Sequence, residues 1–217
     1  MTQKPLTIAV PKGRILEELL PVFDRMKLKV NASFYDENSR ALIFETNAPG
    51  VSVIRVRSFD VVTFVMFGAA QLGIAGSDVL MEMDSPNVYA PLDLNIGKCR
   101  ISVAAEKSAD IKKLMRMSHI RVATKYPNVS KQFFEGKGVQ AECIKLNGAM
   151  ELAPKLGLSE MIVDLVSSGK TLKENGLVEG EVIAEVSSKL IVNRTAFKTR
   201  STEMKRWIDR FGEALDA

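Results

Sequence analysis

The sequence predicts an α/β fold with mainly parallel sheets, because short apolar runs alternate with segments whose apolar residues recur at helical spacing. Residues 6–10 and Met161–Val166 are mainly apolar stretches of strand length. Residues 15–26 instead carry apolar side chains at helical spacing. Strands that alternate with helices favour parallel pairing, since a helix can return the chain to the end of the sheet where the previous strand began.

The remaining elements repeat these two patterns along the chain. Further strands rich in apolar and β-branched residues are predicted at 41–45, 51–56, 97–105, 121–124, 141–146 and 182–193. Further helices are predicted at 61–72, 111–117, 128–137, 149–156 and 202–215. No low-complexity linker separates them.

Two segments share one layout. GAAQLGIAGSDVL (68–80) and GAMELAPKLGLSEMIVDLVSSGKTL (148–172) each run from a helix through glycine into a short apolar strand and a polar turn. Two similar α/β lobes would place such turns at the carboxyl ends of strands, where open α/β sheets bind ligands, and predict a cleft between the lobes. Chance is the alternative, because a helix followed by glycine and a strand is common.

Composition narrows the class of protein. Of 217 residues, 46% are hydrophobic and 26% charged, enough for a substantial core, and the net charge of +4 suits acidic small molecules better than nucleic acid. Two cysteines without metal-ligand spacing and a single histidine disfavour a metal site or a Ser-His-Asp triad. The N-terminus resembles neither a signal peptide nor a membrane span, so we expect a soluble cytoplasmic protein.

The stretch IVDLVSSGKTLKENG (162–176) contains the polar turn of the second segment. It is not an ATPase phosphate loop, because Asp164 stands where that motif requires glycine. Hydroxyl groups before a helix predicted from Leu172 favour an anion, and a sugar phosphate fits best, with Asp164 on ribose hydroxyls or a magnesium-bound diphosphate. An ordinary capped helix start is the alternative.

Segments from one end of the chain to the other resemble a known enzyme family. They are PKGRI (11–15), SRALIF (39–44), VRSFDVVTFV (56–65), GAAQLGIAGSDVL (68–80), RVATKYPNVS (121–130), NGAMELAP (147–154), VDLVSSGKTLKENGL (163–177) and SSKLIVN (187–193). Together and in this order they resemble the short form of ATP phosphoribosyltransferase. The resemblance implies two lobes like a type II periplasmic binding protein with a central cleft: residues 1–98 with 188–217, and residues 99–187 carrying the turn.

The resemblance also implies the chemistry. ATP and phosphoribosyl pyrophosphate would give phosphoribosyl-ATP and pyrophosphate with Mg²⁺, the first step of histidine biosynthesis. N1 of adenine attacks the anomeric carbon as diphosphate leaves. Such a reaction needs positioning and charge stabilisation and no protein nucleophile.

The family's functional positions map onto this chain residue by residue. Phosphoribosyl pyrophosphate is expected to contact Glu151, Asp164, Ser167, Ser168, Gly169, Lys170 and Thr171. ATP or pyrophosphate is expected to contact Lys12, Gly13, Arg14, Gly76, Ser77 and Asp78. Arg57 and Arg40 are the expected catalytic residues, and Mg²⁺ would arrive on the diphosphate without direct protein ligands. The alternatives are a solvated helix start for Lys12 and Arg14, a surface ion pair for Arg57 and an ordinary helix residue for Glu151.

The resemblance further implies a regulatory subunit similar to histidyl-tRNA synthetase, and a homodimer of this chain within a hetero-octamer. Since little chain follows the helix predicted at 202–215, we expect any histidine feedback to come from that partner. Two alternative functions are also compatible with the sequence. One is a two-lobed binding or sensor protein without catalysis, and the other, weakened by Asp164, is a kinase or ATPase.

Overall fold

The computed structural model describes residues 5–36 and 39–216 and divides them between two compact units. Unit 1 combines the chain up to residue 80 with residues 84–97 and the chain from residue 187 onward. Unit 2 consists of residues 81–83 and 98–186. Each unit has its own mixed sheet and its own cluster of buried apolar side chains.

The elements follow one another as strand and helix along most of the chain. In order they are β1 (Leu6–Pro11), α1 (Arg14–Arg25), a 3-10 turn (Ala32–Phe34), β2 (Ile43–Glu45), β3 (Val51–Val56), α2 (Ser58–Met66), β4 (Leu72–Gly76), α3 (Ser77–Glu82), β5 (Val88–Asp93), β6 (Cys99–Glu106), α4 (Ile111–Leu114), β7 (His119–Thr124), α5 (Pro127–Glu135), β8 (Gln140–Lys145), α6 (Leu152–Lys155), β9 (Met161–Val166), α7 (Lys170–Glu174), β10 (Leu177–Val186), β11 (Ser188–Asn193), α8 (Arg194–Thr199) and α9 (Ser201–Asp216). In the described part of the chain, no helix combines the length and apolar character needed to cross a membrane.

Unit 1 is built on a six-stranded sheet of order β2-β3-β1-β4-β11-β5. Strand β1 pairs in parallel with β3 and β4, and the other three pairings are antiparallel. The apolar face of α9 repeats every three or four residues, which is the period that places side chains on one side of a helix. Phe211 of this face meets Phe23 of α1 edge to face, with ring centroids 6.3 Å apart.

Unit 2 is built on a five-stranded sheet of order β10-β6-β9-β7-β8, with β9 at its centre. Strand β9 pairs antiparallel with β6 and parallel with β7. Its residues Ile162 and Val166 lie in one buried cluster with Ala153 of α6 and Leu172 of α7. Because alternate residues of a strand share a face, α6 and α7 pack on the same face of this sheet.

The predicted α/β class is confirmed, whereas the prediction of mainly parallel sheets is wrong. Each sheet contains two parallel pairings, and the remaining pairings, three in unit 1 and two in unit 2, are antiparallel. The strand predicted at 182–193 is two strands, β10 and β11, which belong to different sheets. Apolar pattern marks a strand but carries no information about the direction of its neighbours.

Two predicted helices also have different limits. The helix predicted at 61–72 spans Ser58–Met66, because Gly68 has a left-handed φ of +76° and Leu72 already begins β4. The helix predicted at 149–156 is reduced to Leu152–Lys155, since Ala149 has a φ of +53°. Strand β5 was not predicted, because none of its residues is buried and they show no apolar alternation.

Helix α2 packs closely against Gly73 in the sheet of unit 1. A Cβ at this position would lie 2.7 Å from Cγ2 of Val65 and 2.9 Å from Cγ1 of Val61, both in α2. Gly73→Ala should therefore lower the free energy of unfolding by about 1–3 kcal/mol, the usual cost of overpacking a core. Differential scanning calorimetry would show this as a lower Tm.

Gly212→Ala is the matched control in the same unit. Gly212 lies within α9, and a Cβ there would meet no atom within 4 Å. This variant should gain roughly 0.5–1 kcal/mol from helix propensity. Equal effects of the two substitutions would contradict the packing argument.

Candidate active site

The polar turn predicted to bind phosphate lies between β9, which ends at Val166, and α7, which begins at Lys170. Ser167, Ser168 and Gly169 connect them, and Gly169 has a left-handed conformation with φ of +74°. Glycine adopts this conformation without steric cost, so the chain can turn sharply from strand into helix. The helix begins two residues earlier than Leu172, where it was predicted, and its first turn therefore includes Lys170 and Thr171.

The side chains of this turn face solvent. Ser167, Ser168, Lys170 and Thr171 are all exposed. Local bonds hold the backbone: the Lys170 amide donates to Oγ of Ser168 at 3.4 Å, and Nδ2 of Asn175 donates to the Thr171 carbonyl at 3.0 Å. The Lys170 ammonium lies 3.8 Å from the Glu174 carboxylate. The turn is thus locally ordered, with its hydroxyl groups accessible to a ligand.

Asp164 and Glu151 lie on the same face of the sheet as this turn. Asp164 alternates along β9 with the buried residues Ile162 and Val166, which share their cluster with α6 and α7. Its Oδ1 accepts a hydrogen bond from the Leu165 amide at 2.8 Å. Glu151 immediately precedes α6 and is half-buried. The structure therefore places two carboxylates on the side of the sheet from which the polar turn emerges.

Ala149, two residues before Glu151, has an unusual backbone conformation. Its φ of +53° is uncommon for a residue with a Cβ. The next residue, Met150, is only 1% exposed and belongs to the buried cluster under α6. Buried Met150 therefore anchors the chain between Ala149 and Glu151, and nothing in the residue types of this segment predicts the left-handed backbone.

Sequence reasoning also missed a charged cluster beside the turn. The guanidinium of Arg100 in β6 donates to both carboxylate oxygens of Glu179 in β10, at 2.5 and 2.6 Å, and Nη1 donates to the Ser167 carbonyl at 3.1 Å. The Ser102 hydroxyl donates to the same carboxylate at 2.7 Å. Hydrogen bonds from Arg100 hold the pKa of Glu179 below its ordinary value, although partial burial opposes this.

The basic residues after β1 lie in unit 1. Gly13, with φ of +84°, precedes α1, and the space around its Cα is open. Lys12 is exposed, and its amide donates to the Val56 carbonyl of β3. Nη2 of Arg14 is 3.4 Å from the Gly97 carbonyl, and Nε is 3.6 Å from Glu18. Arg14 is thus engaged within unit 1, whereas the ammonium of Lys12 makes no ion pair with a described residue.

The two predicted catalytic arginines both belong to unit 1. Arg57 directly follows β3 and precedes α2, with an extended backbone and an exposed side chain. It forms no salt bridge within the described chain, which disfavours the surface ion pair considered above. Arg40 is exposed just before β2.

The turn after β4 repeats the strand–turn–helix layout of the turn after β9. Gly76 ends β4 and Ser77 begins α3, and a Cβ at Gly76 would clash with Oδ1 of Asp78. Asp78 is 6% exposed, so its carboxylate is largely enclosed by the turn. The Ser77 amide donates to the Ser187 carbonyl at 2.9 Å. Asp78 is therefore part of the turn's own packing. Gly76 is buried as well, so partly exposed Ser77 is the residue of this turn that a ligand could reach.

Two cavities differ in their relation to these residues. One of about 320 Å³ lies in unit 1 beside Lys12 and Gly13 and is also lined by Tyr35 and Arg55. Arg55 is buried, with Nη1 donating to the Phe34 carbonyl at 2.8 Å. The other, of about 740 Å³, runs along β8 in unit 2 and contains none of the predicted site residues. The smaller cavity is therefore the one connected with the predicted chemistry.

The predicted residues thus form two groups. Unit 2 brings together Glu151, Asp164 and the turn 167–171, and unit 1 holds Lys12, Gly13, Arg14, Arg40, Arg57 and the turn 76–78. Among residues 5–36 and 39–216, no group of three or more His, Cys, Asp or Glu side chains is arranged to hold a metal ion.

Comparisons with known proteins identify relatives over most of the chain. The sequence profile of the family described as HisG, ATP phosphoribosyltransferase, matches residues 57–213. An ATP phosphoribosyltransferase from Rhodospirillum rubrum is 61% identical over 213 residues, which cover 98% of this chain and 94% of the relative.

Solved structures extend the likeness to the fold. An ATP phosphoribosyl transferase (HisG:HisZ) complex from Thermotoga maritima contains a chain that matches with a TM-score of 0.82 and 30% identity, over 97% of this chain and 98% of that one. The periplasmic aliphatic sulphonate binding protein SsuA from Escherichia coli matches with a TM-score of 0.61 and 12% identity, over 99% of this chain and 73% of that one. The second likeness shows the fold alone.

The Arg100–Glu179 pair predicts a pH dependence of stability. The pKa of Glu179 in the folded chain lies below its ordinary value of 4.5, so the pair stabilises the fold fully above that pH and loses its contribution as pH falls through the folded pKa. Glu179→Gln should therefore lower the Tm at neutral pH, and the difference from wild type should shrink below about pH 4.5. Thermal unfolding followed by circular dichroism would measure this, and a constant difference down to about pH 3 would contradict it.

Proposed function

The chain belongs to the ATP phosphoribosyltransferase family, and on that premise we propose which of its residues bind the substrates and stabilise the transition state. The chain transfers the phosphoribosyl group of phosphoribosyl pyrophosphate to N1 of the adenine of ATP and releases pyrophosphate, the first step of histidine biosynthesis. The observation that carries this conclusion is the high identity over nearly the full length with enzymes of that name. Formation of phosphoribosyl-ATP from the two substrates and Mg²⁺ is the direct test.

The reaction sets the demands on the site. The bond between the anomeric carbon and the diphosphate oxygen breaks, N1 of adenine forms the new bond, and positive charge develops on the ribose ring. The protein must orient N1 toward the carbon and stabilise the departing polyanion. Hydrogen-bond donors and cations fixed before substrate arrives meet the second demand at least cost.

We assign the ribose 5-phosphate to the turn 167–171 of unit 2. Support comes from its exposed hydroxyls and from Gly169, whose left-handed backbone lets a ligand approach the main-chain amides. Glu151 and Asp164 are assigned to the ribose hydroxyls, because Asp164 lies on the face of the sheet that carries this turn and Glu151 directly precedes α6, which packs on that face. Carboxylate oxygens accept hydrogen bonds from hydroxyl groups and also favour the developing positive charge of the ring.

We assign the phosphates of ATP and pyrophosphate to the exposed basic groups of unit 1. Lys12, with Gly13, borders the cavity of about 320 Å³, and Arg57 and Arg40 are exposed beside strands of the same sheet. Arg57 is proposed to stabilise the leaving diphosphate, since an arginine fork binds phosphate oxygens in pairs. Arg14 would have to exchange its contacts with Gly97 and Glu18 to take part. Ser77, the partly exposed residue of the turn 76–78, is proposed as a further contact for ATP or pyrophosphate.

We propose that Mg²⁺ enters with the diphosphate. Magnesium in nucleotide and phosphate enzymes keeps several waters and is held by substrate phosphates with one or two carboxylates. Asp164, on the face of the sheet that carries the turn, is the carboxylate that would contact a water of this ion. When bound, the ion would neutralise charge on the leaving diphosphate.

We also propose a protein partner. The matching chain from Thermotoga maritima was solved as a HisG:HisZ complex, which supports a HisZ-type regulatory subunit for this chain and histidine feedback through it. Homodimers of this chain within a hetero-octamer are the proposed assembly. Native mass spectrometry of the chain with and without a HisZ-type subunit tests this, and a mixture that never associates would contradict it.

Thr171→Ala tests the assignment of the 5-phosphate. Loss of one hydroxyl donor to a charged group should weaken phosphoribosyl pyrophosphate by about 1–3 kcal/mol, measured by calorimetry with Mg²⁺. Thr199→Ala is the control, because that hydroxyl donates to the Thr195 carbonyl in α8. Unchanged affinity in Thr171→Ala would reject the assignment.

Arg57→Ala tests the assignment of the leaving group. A contact that strengthens as diphosphate departs should lower the single-turnover rate more than it weakens substrate binding. Arg206→Ala, which removes an exposed arginine from α9, should change neither quantity. A normal single-turnover rate in Arg57→Ala would assign this residue to structure instead.

A further inference from the structure

The carbonyl of Ser167 is held from outside the turn. It follows the last residue of β9, and Nη1 of Arg100 donates to it at 3.1 Å. Arg100 pairs in register with Val166, so its side chain extends along the face of the sheet from which the turn emerges. This hydrogen bond joins a side chain of β6 to the backbone of the turn itself.

The orientation of that carbonyl determines where the next amide points. The peptide unit is planar and trans, so the Ser167 carbonyl and the Ser168 N–H point in opposite directions. With the carbonyl directed at Arg100, the Ser168 N–H is directed away from the guanidinium. A rotation of this peptide would exchange the two groups and present a carbonyl oxygen, which repels phosphate, where the amide now stands.

The guanidinium of Arg100 is itself held in place by hydrogen bonds. Nε and Nη2 donate to the two oxygens of Glu179, a bidentate arrangement that leaves Nη1 for Ser167. Glu179 in turn accepts from the Ser102 hydroxyl, which is fully buried. An arginine without such partners would lose side-chain conformational freedom on binding the carbonyl. The side chain of Arg100 is already restricted by its bonds to Glu179.

We propose that Arg100, fixed by Glu179 and Ser102, is a positioning residue that orients the Ser167–Ser168 peptide for phosphate before substrate binds. The proposal rests on the assignment of the 5-phosphate to the turn 167–171. It makes the turn a preorganised site, in which affinity is gained by avoiding the cost of ordering the backbone at binding.

A second arginine–glutamate pair in the same unit provides a matched control. Arg121 of β7 donates to Glu160 through Nη2 at 2.6 Å and Nε at 3.1 Å, with side-chain exposures of 41% and 30% against 29% and 24% for Arg100 and Glu179. The Arg121 amide and guanidinium both donate to Glu160, which lies outside the turn. Loss of either pair should affect stability, but only loss of Arg100 should affect the turn.

The experiment compares Arg100→Gln with Arg121→Gln. Arg100→Gln should raise the KM and the Kd for phosphoribosyl pyrophosphate about tenfold, while the KM for ATP stays within about twofold. Hydrogen exchange at the amides of residues 168–171 in the free protein should accelerate in this variant alone. Arg121→Gln should lower the Tm and leave both substrate constants unchanged.

Glu179→Gln is a second test, because Glu179 lies outside the turn. This variant also tests the proposal if Arg100→Gln fails to fold. It should raise the same KM, and the double variant Arg100→Gln/Glu179→Gln should match Arg100→Gln alone, because the glutamate acts through the arginine. Additive effects, or an equal loss of affinity in Arg121→Gln, would overturn the proposal.

Thr171→Ala separates the two possible failures. If Thr171→Ala weakens phosphoribosyl pyrophosphate and the Arg100 and Glu179 variants do not, the positioning role is wrong and the assignment of the 5-phosphate stands. If none of these variants weakens it, the assignment of the turn is wrong, and the positioning role is wrong with it.

Discussion

The pairing of β9 on both sides is the constraint on which the candidate site depends. Strand β7 pairs with residues 161–163 and β6 with residues 162–166, which satisfies backbone groups of the strand, and the last pair with β6 joins Val166 to Arg100. Beyond that pair the chain must turn, and Gly169 permits the turn within three residues. The position of the polar turn is therefore set by the sheet, and that of Asp164 by the alternation of the same strand.

The two strand–turn–helix segments use glycine for different physical reasons. Gly169 is needed for its left-handed backbone, whereas Gly76 is needed because the Asp78 carboxylate occupies the space that a Cβ would fill. The same layout thus gives an open turn with exposed hydroxyls in unit 2 and a turn closed by a buried carboxylate in unit 1. Likeness of sequence pattern established the common layout and could not distinguish these two environments.

The sequence predicted most of the elements, and Met161–Val166 and Val51–Val56 have the predicted limits. Both strands are rich in valine and isoleucine, the β-branched composition that marks a strand most clearly. The direction of pairing could not be predicted, because it depends on residues far apart in the chain. Arg100 and Glu179 were missed for the same reason: 79 residues separate them, and neither belongs to a local motif. The left-handed backbone of Ala149 was equally hidden, since nothing in its residue type favours that conformation.

Family membership and local geometry contribute separate parts of the account. The family establishes the reaction, and the sheet of unit 2 explains why a hydroxyl-rich turn, two carboxylates and an anchored peptide lie on one face. The most direct test of this account is a crystal structure of the chain with phosphoribosyl pyrophosphate and Mg²⁺. We expect the 5-phosphate oxygens to lie about 2.7–3.2 Å from main-chain nitrogens of residues 168–171, with the Ser167 carbonyl still bound to Arg100. A phosphate bound elsewhere, with this turn unliganded, would contradict the account.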